Sequence, residues 1–353
     1  MRIKLSRMAT LGVAASILYT IIGVLVHEPP ARLHPSLAGL GGLLLFPTSM
    51  YIVFTGSLKS GRPREGPEAL APVLAVLFTG IAPPAGYLAG ITVACAAAAL
   101  GLTALLAHVA FQVQGWRRPE PRLLLFYPPA AGLAGYMLAA ASPGAGVLMP
   151  PAVAGLVYSA SMIYVVSLYT IARNYGVTPR GARVYVPFLA HAPSVPTVYK
   201  GGIEAMTVAA ALSGLVYMLA MGYPHRIPYV AKRAGRLREP ARSSLYYMLA
   251  SHTVAFVSLV LAVAAVAGGD GLAGLHYVTL GFAGAHILLH APLMLPQVTG
   301  VVLNKDYRPL PPLLVLASAL ARDLIPWAST ILVVLAFIEA LVQFRPLGLV
   351  ARS

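Results

Sequence analysis

Charge is what this sequence lacks most. Of its 353 residues only 10% are Asp, Glu, Lys or Arg, against about 25% in soluble globular chains. That scarcity excludes an ordinary water-soluble enzyme, and a 58% hydrophobic content excludes a disordered chain. Acids are the scarcest: there are ten, and only Glu204, Asp323 and Glu339 lie within apolar runs. One cysteine, Cys95, excludes an intramolecular disulfide and a multi-cysteine metal site. The phosphate loop, the dinucleotide fingerprint and His-Glu-x-x-His are all missing, and with them the common soluble catalytic motifs. Also missing are the alternating decapeptides of a membrane β-barrel.

What is present is long apolar runs and a mean hydropathy of +0.78. Runs occupy roughly 8–26, 34–56, 69–88, 90–112, 123–141, 147–172, 202–222, 244–267, 272–296 and 311–343. Each reaches the length of about 20 residues that crosses a hydrocarbon layer as a helix. The fold class is therefore all-α, a polytopic transmembrane helix bundle of about 10–12 spans. It is expected to form one integral membrane domain over 1–353 with no soluble domain. The first run could pass for a signal peptide, but no small-residue cleavage site precedes His27-Glu28-Pro29-Pro30, so it is read as a retained span.

The 25 Lys and Arg residues give a net charge of +15. In a soluble domain that would suggest nucleic acid; here the cations fall between apolar runs, where the positive-inside rule puts them. No nucleic acid partner is expected; the partners are the lipid bilayer and, potentially, other membrane subunits. Arg2, Lys4 and Arg7 place the amino terminus on the cytoplasmic side of the plasma membrane. The loops after the second, fourth and sixth runs are basic too, and the densest cluster runs from Arg226 to Arg242. Keeping all of these on one side needs a further crossing between Arg183 and the run at 202–222. The candidate is VYVPFLAHAPSVPTVY, Val184–Tyr199, with three prolines and His191, read as a broken crossing. That gives about eleven crossings.

Ionisable groups inside a membrane are costly, and so are functional suspects. Glu204 follows Gly201-Gly202, where a carboxylate suits a helix N-terminus. Asp323 sits beside Arg322 and before Pro326, as a paired charge, a kink or a proton relay. Histidine is the unusual class: seven of nine lie in or at the edge of spans, namely His34, His108, His191, His252, His276, His286 and His290. On the helix HYVTLGFAGAHILLHAPLMLP, His286 and His290 fall about 80° and 40° round from His276, so all three share a face. They lie about 15 Å and 21 Å below it along the axis, too far for one ion. His286 and His290, four apart, suit one metal or one cavity. The topology puts His34 level with His276, and His252 in the inner half.

Two spans share the pattern His-x4-Gly-x2-Gly: HPSLAGLGG from His34 and HYVTLGFAG from His276. Glycines at that spacing admit either a neighbouring helix or a flat ligand. The run from His276 to Pro296 resembles the histidine-bearing helix of the haem-copper oxidase subunit I superfamily and of the related NnrS-type haem and copper membrane proteins. The span opening at His34 resembles the partner helix that supplies the opposite axial ligand. The resemblance implies haem held by His34 and His276, with His252 a further cofactor-binding residue. It leaves room for a second site from His252, His286 and His290, and copper or another transition metal is expected at His286, His290 and His191. No His-His pair and no His-Pro-Glu-Val segment occurs, so oxygen reduction is not part of the expectation. Electron transfer, sensing and haem or metal handling remain. The alternative is a cofactor-free transporter or channel with a histidine-lined polar path, in which Asp323 or Glu204 relays protons.

Overall fold

A computed structural model describes residues 5–25, 33–57, 66–114, 122–143, 145–178, 181–200, 202–299, 301–303, 307–322, 325–344 and 346–349. The chain is helical almost throughout: α1 (Leu5–Leu25), α2 (His34–Ser57), α3 (Pro67–Leu88), α4 (Ile91–Val113), α5 (Arg122–Ala141) and α6 (Met149–Thr170). A 3₁₀ turn (Ala172–Tyr175) leads to the short α7 (Ala182–His191) and α8 (Ser194–Lys200). Then come α9 (Gly202–Met221), the short α10 (Ile227–Ala234), α11 (Ala241–Ala267) and α12 (Gly271–Thr299). The last helices are α13 (Leu310–Ala321) and α14 (Pro326–Gln343). A small antiparallel ribbon pairs β1 (Val301–Leu303) with β2 (Pro346–Leu349).

Among the described residues, nine of these helices are long and apolar enough to cross a membrane, and the protein is an all-α polytopic bundle. Its buried side chains include serines, threonines, histidines and glutamines but, among the described residues, no Lys, Arg, Asp or Glu. Its exterior carries large apolar side chains in rows: Leu11, Leu18 and Leu25 on α1, Trp327, Ile338 and Leu341 on α14. Water would not tolerate so continuous an apolar exterior, whereas a bilayer covers it.

Two apolar runs are broken. The stretch 311–343 is not one span but a helical hairpin, with α13 ending at Ala321 and α14 opening at Pro326. Pro326 opens α14, where its missing N–H costs nothing. Ser318 Oγ bonds to the Ser329 main-chain oxygen at 2.8 Å and closes the hairpin. At 12 residues, α13 is about 18 Å long, short of the roughly 30 Å layer. The segment 184–199 divides into α7 and α8 on either side of Ala192-Pro193, with Pro187 inside α7. Neither half is long enough to span alone.

The chain divides into two compact units, Met1–Val165 with Ala192–Met206, and Val166–His191 with Thr207–Ser353. In the first, α1 and α2 pack closely: a Cβ on Gly41 would lie 2.7 Å from Tyr19 Cβ, and Ser16 Oγ donates to the Gly41 oxygen at 2.8 Å. Buried Tyr158 bonds to Thr48 at 3.0 Å and buried His108 to Thr55 at 3.1 Å. In the second unit α11 packs on α12, where a Cβ on Gly281 would fall 2.2 Å from Ser258 Oγ. Small residues bring membrane helices to this distance.

Candidate functional site: a hydroxyl–imidazole file

The second unit gathers three buried histidines from two adjacent helices. His252 comes from α11, and His286 and His290 from successive turns of α12. The rings form a file: His252 and His286 have centroids 5.3 Å apart, His286 and His290 6.4 Å. Four apart on a helix, the latter two share a face. Their relative exposures are 1%, 1% and 7%, so hydrogen bonds to protein groups decide their states.

Each ring meets a hydroxyl from another segment. Tyr175, in the turn after α6, bonds to His252 Nδ1. Tyr217 of α9 lies 3.4 Å from His286 Nε2. Ser167, near the end of α6, lies 2.9 Å from His290 Nε2 and also bonds to Tyr217. Burial holds the Tyr175 hydroxyl well above its ordinary pKa, helped by the neighbouring Tyr217 and Tyr223. It stays protonated at neutral pH.

The directions of several bonds follow from chemistry alone. His286 Nδ1 lies 2.9 Å from the Phe282 main-chain oxygen; a carbonyl only accepts, so Nδ1 carries the proton and Nε2 the lone pair. Tyr217 must then donate to His286 Nε2. Its oxygen accepts from Ser167 Oγ–H, and Ser167 accepts from His290 Nε2–H. The bonds from His290 to His286 therefore all point one way. That leaves the lone pair of neutral His290 on Nδ1, which is buried with no protein partner, as is His252 Nε2. Leaving a buried polar atom unpaired costs about 1–3 kcal/mol; Thr207, Ser251 and Ser258 of the same unit leave hydroxyls unpaired as well, and of these orphan atoms the two ring nitrogens are the basic ones.

The remaining expected residues lie elsewhere. His34, in the first unit, is exposed and bonds through Nδ1 to the Gly23 oxygen at 2.9 Å. His276, in the second, is half-buried and bonds through Nδ1 to the Leu272 oxygen at 2.8 Å. Again the carbonyl assigns the proton to Nδ1 and the lone pair to Nε2. Both histidines adjoin π-helical turns, His34–Leu45 in α2 and Tyr277–Ala283 in α12, a helical form that is rare and concentrates at functional sites. The glycines of the shared pattern are filled by neighbouring helices rather than left open. Gly39 packs on Pro151, Gly42 faces Thr20, Gly281 packs on Ser258 and Gly284 faces Val315.

His191 is buried at the end of α7. Among the described residues no three His, Cys, Asp or Glu side chains converge as a metal ion requires, and that includes His286, His290 and His191. Glu204 is exposed in the first turn of α9, the position where a carboxylate meets the positive end of the helix. Asp323 lies outside the described residues. Glu339 accepts from Gln343 Nε2 at 3.1 Å.

Sequence reasoning missed the hydroxyls. Ser167, Tyr175 and Tyr217 come from three separate segments, and no spacing rule links any of them to the histidines. A protein with 18 tyrosines offers no compositional flag for two of them.

No protein-family model, curated protein or solved structure matches this chain.

Proposed function

We propose that the second unit conducts protons within the membrane along this file, making the protein a cofactor-free transporter or channel. The observation that carries this reading is the uniform direction of the bonds from His290 through Ser167 and Tyr217 to His286. A proton arriving at His290 Nδ1 releases the one on Nε2 to Ser167. Ser167 passes its own to Tyr217, and Tyr217 passes its own to His286 Nε2. One proton enters and one imidazolium forms at the far end, with its Nδ1–H still on the Phe282 oxygen. His252 and Tyr175 extend the file beyond His286. The test is proton flux in vesicles holding the full chain, driven by a potassium diffusion potential and read with an enclosed pH dye. Flux above protein-free vesicles that is lost in His286→Leu and His290→Leu supports the reading. Flux no greater than in empty vesicles overturns it.

His34 and His276 favour a second reading, haem binding for electron transfer, sensing or haem handling. Both present Nε2 as the lone-pair nitrogen through an Nδ1–carbonyl bond, the arrangement that orients a ligating imidazole. Haem would supply one-electron chemistry there. The donor chemistry fits at each histidine, whereas the side chains at His286, His290 and His191 do not fit a copper-type set. An absorption spectrum of oxidised and reduced purified protein, made with haem supplied, tests it. A Soret band lost in His34→Ala or in His276→Ala supports haem binding at that histidine, and its absence from the wild type removes it.

A further inference from the structure

The strongest charge on the described surface has no protein counterpart. From the end of α9 to the first turn of α11 the chain carries Arg226, Lys232, Arg233, Arg236, Arg238 and Arg242, against one acid, Glu239. Glu239 is taken by Arg242 at 2.8 Å. Arg226, Lys232, Arg236 and Arg238 are exposed and make no ion pair or hydrogen bond through their side chains among the described residues. Arg233 reaches across to the main-chain oxygens of Arg173 and Asn174, at 3.4 and 3.5 Å. Exposed Arg173 therefore joins the same surface.

The placement identifies what faces these cations. α10 buries Val230 and Ala234 while Lys232 and Arg233 point outward. The segment is tethered at both ends to membrane-spanning helices, α9 ending at Met221 and α11 beginning at Ala241. It cannot leave the level where those helices meet the headgroups. Tyr229 and Tyr246 are exposed to 44% and 47%, and such aromatic rings settle at that level. A polybasic segment at the membrane surface attracts anionic lipid, and arginine matches phosphate oxygens with a fork of N–H donors.

We propose that this surface is a docking site for anionic phospholipid headgroups, with Arg226, Lys232, Arg236 and Arg238 taking the phosphate charge. The site is independent of the proton file, although Arg233 ties it to the turn that carries Tyr175. An acidic protein would meet the same charge, but the tethering and the exposed tyrosines favour lipid.

The test uses the full chain, stripped of lipid in neutral detergent, with its thermal midpoint followed as short-chain lipid is added. Phosphatidylglycerol should raise the midpoint by about 3–5 °C more than phosphatidylcholine of the same chain length. The difference should vanish in the fourfold variant Arg226→Gln, Lys232→Gln, Arg236→Gln, Arg238→Gln. All four side chains are exposed, and an unchanged elution profile and circular dichroism spectrum certify the variant's fold. In the wild type alone, salt at about 1 M, where the Debye length is about 3 Å, should erase the preference. Equal effects of the two lipids overturn the proposal, as does a preference that survives the fourfold change or the salt. Equal protection by inorganic phosphate or by polyglutamate overturns it too, in favour of a general anion surface or an acidic partner.

Discussion

Replacing Tyr217 by Phe removes one oxygen and nothing else from the middle of the hydroxyl–imidazole file. That oxygen donates to His286 Nε2 at 3.4 Å and accepts from Ser167; both partners are buried. In water-soluble cores each orphaned group would cost about 1–3 kcal/mol. Between membrane helices such bonds average only about 0.6 kcal/mol and reach about 1.7, and the His286 bond is long. The expected stability loss is therefore about 1–2 kcal/mol, too little to unfold the bundle. Conduction behaves differently, because a chain of proton transfers stops where one carrier is missing. Flux should fall at least about tenfold, a barrier increase of about 1.4 kcal/mol or more. The matched control is Tyr51→Phe in the first unit, which removes a buried hydroxyl bonded at 2.7 Å to the Leu125 oxygen. It should cost similar stability and leave flux intact. Folded Tyr217→Phe protein that conducts at the wild-type rate refutes the file as the path. Equal loss of flux in both variants assigns the effect to stability.

The remaining expectations concern packing and the basic surface. Gly281→Leu should destabilise the second unit by about 1–3 kcal/mol, because even a Cβ there would overlap Ser258; Ser258→Ala should restore part of the loss, read as a thermal midpoint in detergent. Ser318→Ala should loosen the α13–α14 hairpin by about 0.5–1.5 kcal/mol, seen as faster amide exchange in α14 with exchange in the first unit unchanged. Glu239 accepts from the Ser243 amide at 3.1 Å and from Arg242. The Ser243 bonds first, and then Arg242, hold its carboxyl below the ordinary value. A depressed carboxyl stabilises the start of α11 above its unfolded pKa and loses that contribution as pH falls through the folded one. Glu239→Gln should flatten that acid limb of Ser243 amide protection; an unchanged limb would assign it to another group.

The spans were legible because the bilayer imposes one length on every crossing helix, and runs such as 90–112 meet it with no competing signal. The break in 184–199 was legible from its prolines. The break between Ala321 and Pro326 was not, because one interior proline behind an Arg-Asp pair reads as easily as a kink in a continuous span. Pairing of His286 with His290 follows from helical periodicity, a local property. Contact between His252 and His286 depends on which helix lies beside which, and sequence levels alone supply depth without neighbours. The glycines of the two histidine-bearing helices illustrate the same limit. Their spacing predicted a close approach by something flat or helical, and only the packing of Pro151 and Ser258 against them identifies helices.

Buried polarity separates the two units in a way that bears on function. In the first, the Thr48–Tyr158 and Thr55–His108 bonds join helix to helix as isolated pairs, which is what hydrogen-bonded membrane packing looks like. In the second, three imidazoles and three hydroxyls follow one another, and its orphan atoms include two ring nitrogens able to bind a proton, whereas buried Gln112 of the first unit leaves unpaired an amide, which cannot. Packing alone would favour apolar residues at those places, since each unpaired nitrogen is a cost with no structural return. A file that must accept a proton at one end needs an available lone pair there, and His290 Nδ1 supplies it. His290→Asn separates these alternatives. If the ring serves packing, the substitution costs stability, through the cavity it leaves and the amide N–H groups it buries, while flux is unchanged. If it is the entry point, flux falls whatever happens to stability, because an amide cannot take up a proton near neutral pH.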